Sequence, residues 1–137
     1  MSTILIMDED EGIRMLYEDV FSEEGYEVIS CGKPAELMEL IARRCPDLLV
    51  MEVMLTNGDG LDLLQDISHT YQELPVVLCT TSAACKEDLR SLAAHGFVVK
   101  SSRLKELKAA IKGVLEGRQQ MHPFLFPACG SLLESRI

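Results

Sequence analysis

The chain has 137 residues, 47% of them hydrophobic and 26% charged, with 9 Gly, 5 Pro and no Trp, which describes one ordinary domain able to bury roughly two-thirds of its unfolded surface without disulfides or a structural metal. Thirteen basic against 22 acidic residues leave a formal charge of −9, a balance that repels phosphate backbones and anionic lipid, so neither nucleic acid nor a membrane is an expected partner. No apolar run approaches the ~18 residues needed to cross a bilayer, no secretory signal opens the chain, and the five cysteines lack CxxC or metal-ligand spacing, so a cytoplasmic domain with reduced thiols is expected.

Residues 3–8, Thr-Ile-Leu-Ile-Met-Asp, form a short apolar run stopped by acids, the pattern of a strand buried on both faces. The period then changes: Ile13, Leu16, Tyr17, Val20 and Phe21 recur at helical spacing and predict a helix ending near Gly25. Residues 27–31 predict a second strand. Pro34 suits the first position of a second helix carrying Leu37, Leu40 and Ile41 and closed by Pro46. A third strand covers 47–53, Gly58 and Gly60 mark a turn, and Leu61, Leu64 and Ile67 stripe a third helix. A fourth strand covers 75–80, and a fourth helix carries Leu89, Leu92 and Ala93 up to Gly96. Residues 97–100 form a fifth strand, and Leu104, Leu107, Ile111 and Leu115 stripe a fifth helix that ends at Gly117.

Five strands alternating with five helices across short connections require parallel pairing with right-handed crossovers, hence an α/β three-layer sandwich with helices on both faces of the sheet. The domain is expected to span 1–117. Residues 118–137 form a tail whose Phe124-Leu125-Phe126 and Leu132-Leu133 clusters suit packing on the domain or at an oligomer contact. Ligands of such sheets bind beyond the carboxyl ends of the strands. There the chain places Asp8 and Glu9 at the end of strand one, Glu52 next to the end of strand three, Thr80 at the end of strand four and Lys100 at the end of strand five. Clustered carboxylates destabilise one another unless a cation intervenes, so the set predicts either a divalent ion held by Asp8, Glu9 and Glu52 or a direct ion pair with Lys100. A carboxylate, a hydroxyl and an ammonium on one edge suit phosphoryl chemistry.

Ile4-Leu5-Ile6-Met7-Asp8-Glu9-Asp10, the run from Pro46 to Leu55, Asn57-Gly58-Asp59-Gly60-Leu61, Pro75-Val76-Val77-Leu78-Cys79-Thr80 and Phe97-Val98-Val99-Lys100 together resemble response-regulator receiver domains of two-component signalling. The resemblance covers residues 3–117. It implies a flavodoxin-like sheet ordered 2-1-3-4-5, Asp8 and Glu9 at the acidic pair for Mg²⁺, Thr80 at the switch hydroxyl, Phe97 at the switch aromatic and Lys100 at the invariant lysine. It also implies a histidine kinase or other signalling protein as partner, and a homodimer through helices four and five.

The departures bear on function. The family's phosphoacceptor aspartate is replaced by Glu52, whose extra methylene moves the carboxylate by roughly 1.5 Å, and a misplacement of about 1 Å costs on the order of 10²-fold when attack must be in line. Ser101 replaces the usual proline after the lysine, which predicts a trans peptide there. Thr81 replaces a small residue and narrows the approach to the site, and Thr56 replaces another common proline. The expectation is therefore a degenerate, non-enzymatic receiver: Glu52 reaches toward Lys100 or Thr80 and holds a phosphorylation-independent interaction module in one state, with Mg²⁺ binding weakened or absent. Two alternatives stay open. One is a slow Mg²⁺-dependent phosphoacceptor. The other is a small haloacid-dehalogenase-like phosphatase with Asp8 as nucleophile, although Asp10 is not followed by Gly-Thr and no paired acids follow Lys100.

Overall fold

The structure, a computed structural model, describes residues 1–56, 58–100 and 104–121. Five strands, β1 (Thr3–Met7), β2 (Glu27–Cys31), β3 (Leu48–Met51), β4 (Val76–Thr80) and β5 (Gly96–Val99), alternate with helices α1 (Glu11–Glu23), α2 (Pro34–Arg44), α3 (Gly60–Thr70) and α4 (Leu104–Met121). The strands pair in parallel in the order β2-β1-β3-β4-β5, the order that the resemblance to receiver domains implies.

Alternation along each strand sends side chains to two separate cores. Leu5, Met7, Leu49, Met51, Val76 and Leu78 face Leu37 and Ile41 of α2 and Leu61, Leu64 and Ile67 of α3. Ile4, Ile6, Leu48, Val50, Val77 and Cys79 face Tyr17 and Phe21 of α1 and Leu107, Ile111 and Leu115 of α4. Burial on both faces is why β1, β3 and β4 read as unbroken apolar runs. In α1 the two rings, with centroids 6.0 Å apart and edge-on, carry the buried contact, whereas Leu16 lies at the margin of the expected stripe and is 45% exposed.

Helix ends follow local chemistry. Asp10 caps α1 by accepting from the Ile13 N–H, and Asp59 caps α3 by accepting from Leu61 N–H and Asp62 N–H. Pro34 opens α2, while Cys45 ends it in the left-handed region at φ 46°, where a β-carbon is penalised and Gly is the usual residue. Cys45→Gly is accordingly expected to stabilise the fold by about 1 kcal/mol, measured as a raised urea midpoint at unchanged slope.

Two expectations are corrected. The fourth predicted helix is replaced by two 3-10 turns, Ala83–Glu87 and Leu89–Ala93, and Leu89 and Leu92, expected on a buried stripe, are 81% and 78% exposed. The cause is Asp88: its extended backbone (φ −75°, ψ 129°) ends the first turn, and its carboxylate caps the second by accepting from the Arg90 N–H. The fifth predicted helix, α4 here, does not stop at Gly117 but runs to Met121. An interior glycine costs a helix only about 1 kcal/mol, and the residues after it are good helix formers. The peptide at Ser101 and the tail from residue 122 onward lie outside the described residues.

Candidate functional site

At the edge beyond the carboxyl ends of β1, β3 and β5, the parallel ladder continues for one residue and fixes three polar side chains. Asp8 N–H donates to Cys31 O at 3.2 Å, Glu52 N–H to Met7 O at 3.0 Å and Lys100 N–H to Thr80 O at 2.6 Å. Because β1 lies between β2 and β3, Asp8 and Glu52 occupy the point where strand order reverses. Lys100 reaches across from the sheet's last strand. Its Nζ lies 2.5 Å from Asp8 Oδ2 and 2.9 Å from Glu52 Oε1, with all three side chains largely buried.

The second oxygen of each acid is also engaged. Asp8 Oδ1 accepts from the Asp10 N–H at 2.9 Å, and Glu52 Oε2 accepts from Val53 N–H at 2.7 Å and Met54 N–H at 2.9 Å. The longer glutamate arm thus bends back over its own following residues. Burial alone lowers the Lys100 pKa, but the hydrogen bonds and charges of Asp8 and Glu52 outweigh it and raise the group above its ordinary value.

The structure therefore brings Asp8, Glu52 and Lys100 into direct contact, the ion-pair branch of the two arrangements expected from the sequence. Glu9 turns to the loop after β3, where its Oε1 accepts from the Thr56 N–H at 2.7 Å and from the Thr56 hydroxyl at 2.9 Å. Thr80 is fully buried and its hydroxyl accepts from the Ser82 N–H at 3.3 Å, while Thr81 beside it is exposed. Phe97 is half-buried against the α2 and α3 core. The donor set does not fit a divalent cation as arranged: Asp8 and Glu52 already share the Lys100 ammonium, and Glu9 is turned to Thr56. Among the described residues no group of three His, Cys, Asp or Glu side chains is placed to hold a metal ion.

Two supports were not legible beforehand. Gly60 packs so closely that a β-carbon there would lie 2.2 Å from Val53 O, which pins the segment whose amides hold Glu52. Arg90 joins three acids: its guanidinium lies 2.7 Å from Asp59 and from Asp62 at the start of α3, and 2.8 Å from Asp88. Spacings of 28 and 31 residues carry no periodic signal, although Asp59 and Asp88 have the composition of caps. Hydrogen bonding to Arg90 holds the Asp88 carboxyl down at about 2. A depressed carboxylate contributes stability that is present above its unfolded value and lost as pH falls through about 2. In Arg90→Ala the Asp88 carboxyl is expected to titrate near an ordinary aspartate, read by carbon NMR.

Residues 4–112 match the family described as Response regulator receiver domain. The chain belongs to the response-regulator receiver family. Response regulator MprA of Mycobacterium leprae is 32% identical to this receiver over 114 residues, 82% of this chain and 50% of that protein, so the chain spans about half the length of that relative. The response regulator protein TrrA of Thermotoga maritima, solved in complex with Mg²⁺-BeF, superimposes with a TM-score of 0.80 at 29% identity, covering 83% of this receiver and 99% of that chain. A second structure, of histidine kinase ThkA in complex with TrrA, aligns at a TM-score of 0.79 and 29% identity over 84% of this receiver and 99% of the matched chain. The receiver is thus a module of two-component signal transduction with a flavodoxin-like sheet, and no described helix is long and apolar enough to cross a membrane.

Proposed function

We propose that this receiver is a cytoplasmic protein-protein interaction module, a binder rather than an enzyme, that works without ordinary phosphoryl transfer because Glu52 is held in one ion-paired arrangement. The supporting observation is that both Glu52 oxygens are engaged, one by Lys100 and the other by the Val53 and Met54 amides. Attack on phosphorus needs a free carboxylate lone pair in line with the leaving group. Here attack through Oε1 would cost the ion pair and attack through Oε2 two amide hydrogen bonds, from a carbon skeleton already one bond too long. Asp8 is equally committed, which also argues against a phosphatase that uses it as nucleophile.

The partner is a histidine kinase or another signalling protein, in the manner of the ThkA complex with TrrA, and Mg²⁺ affinity is weak. Self-association through the segment after β4, β5 and α4 belongs to the same proposal, since Leu89 and Leu92 are exposed there. The receiver unit spans residues 1–117.

Incubation with acetyl phosphate and Mg²⁺, followed by intact-mass measurement, is expected to leave the chain unmodified. Stable phosphate mapped by peptide mass to Glu52 or a neighbour would overturn the reading in favour of a slow acceptor. Acceptance by Glu52→Asp alone assigns the block to the glutamate, whereas continued refusal assigns it to access as well.

A further inference from the structure

We infer that Lys100 and Thr56 together close this pocket to divalent cations, Lys100 by standing between Asp8 and Glu52 as their counter-charge and Thr56 by holding Glu9 apart from them. The inference deepens the proposed function and rests on the same site. Mg²⁺ requires oxygen ligands at about 2.0–2.1 Å in near-octahedral geometry, and both oxygens of Asp8 and Glu52 and one oxygen of Glu9 are already engaged. Asp8 and Glu52 share the Lys100 ammonium at 2.5 and 2.9 Å, and their other oxygens accept the Asp10, Val53 and Met54 amides. A cation entering between the two acids would have to expel an ammonium that already satisfies both.

Glu9 is the decisive ligand because it is adjacent to Asp8 in sequence yet not joined to the pair. Thr56 supplies two donors to a single Glu9 oxygen, the backbone N–H at 2.7 Å and the hydroxyl at 2.9 Å. Only a residue with both an amide hydrogen and a side-chain hydroxyl can make this clamp. Proline lacks both, valine lacks the hydroxyl and serine keeps both. Thr56 is therefore a positioning residue: it touches no reacting atom and decides where Glu9 points.

The test is a Mg²⁺ titration of the full chain, followed by the amide NMR signals of residues 8–10 and 53. Wild type and Thr56→Ser are expected to show no saturable shift in the submillimolar range. Thr56→Pro is expected to bind Mg²⁺ about tenfold more tightly or better, the scale on which groups that orient metal ligands act, with Thr56→Val intermediate. Val is the fallback should the Pro variant fail to fold, since it keeps the backbone donor. Thr56→Val and any folded Thr56→Pro binding no more tightly than wild type would overturn the inference. So would submillimolar binding by wild type, a result that leaves the proposed absence of ordinary phosphoryl transfer standing if no phosphate is accepted. Phosphate on wild type in the presence of Mg²⁺ would instead defeat the proposed function.

Discussion

Lys100→Met is expected to lose about 3–5 kcal/mol of stability at neutral pH, the usual cost of removing one partner from a buried ion pair. Side-chain exposures of 14%, 7% and 6% for Lys100, Asp8 and Glu52 leave little solvent to screen the two abandoned carboxylates. The pH dependence has a definite sign. A lysine whose folded pKa is raised contributes stability that is fully present below its ordinary value of 10.5 and lost as pH rises through the folded value. Urea midpoints of both proteins at neutral and alkaline pH measure this directly, and equal midpoints at neutral pH would mean that the triad is solvated.

Gly60→Ala should cost about 3 kcal/mol, at the upper end for overpacking. The added carbon would meet Val53 O at 2.2 Å and Val53 Cα at 2.4 Å, and backbone on both sides leaves no flexible side chain to give way. The damage reaches the site, because displacing Val53 moves one of the two amides that hold Glu52 Oε2. Loss of stability should therefore coincide with a shifted Val53 amide signal. Gly113→Ala offers the opposite sign: nothing lies within 4 Å of its β-carbon position, it is interior to α4, and a gain of about 1 kcal/mol is expected. Denaturant titration of the two variants separates glycine required by close approach from glycine that is merely tolerated.

The strands and the gathering of Asp8, Glu52 and Lys100 on one edge were legible because they depend on periodicity and on residues at strand ends, whereas the sheet order followed only from the resemblance to receiver domains. Three features were not. The clamp on Glu9 depends on a hydroxyl 47 residues away, and no local pattern announces a long-range hydrogen bond. The fold-back of Glu52 onto Val53 and Met54 is set by side-chain length within a turn, below the resolution of any periodic reading. The 3-10 segment is the clearest failure of propensity: Ala83, Ala84, Leu89, Leu92 and Ala93 have the composition of a helix, yet one Asp88 cap and the ties of Arg90 prevail. Local preference amounts to tenths of a kcal/mol per residue and yields readily to such constraints.

That segment sets the order in which the molecule opens. Short 3-10 turns make few, poorly aligned backbone bonds, so the stretch joining β4 to β5 is secured mainly by ties from its side chains to α3, whereas the strands beside it share a continuous ladder. Amide exchange should register it as the earliest cooperative unit to let go, well before the sheet. A protein engaging Leu89 and Leu92 would then grip the part of the receiver that yields first, and could remould that surface while leaving the parallel sheet and both hydrophobic layers intact.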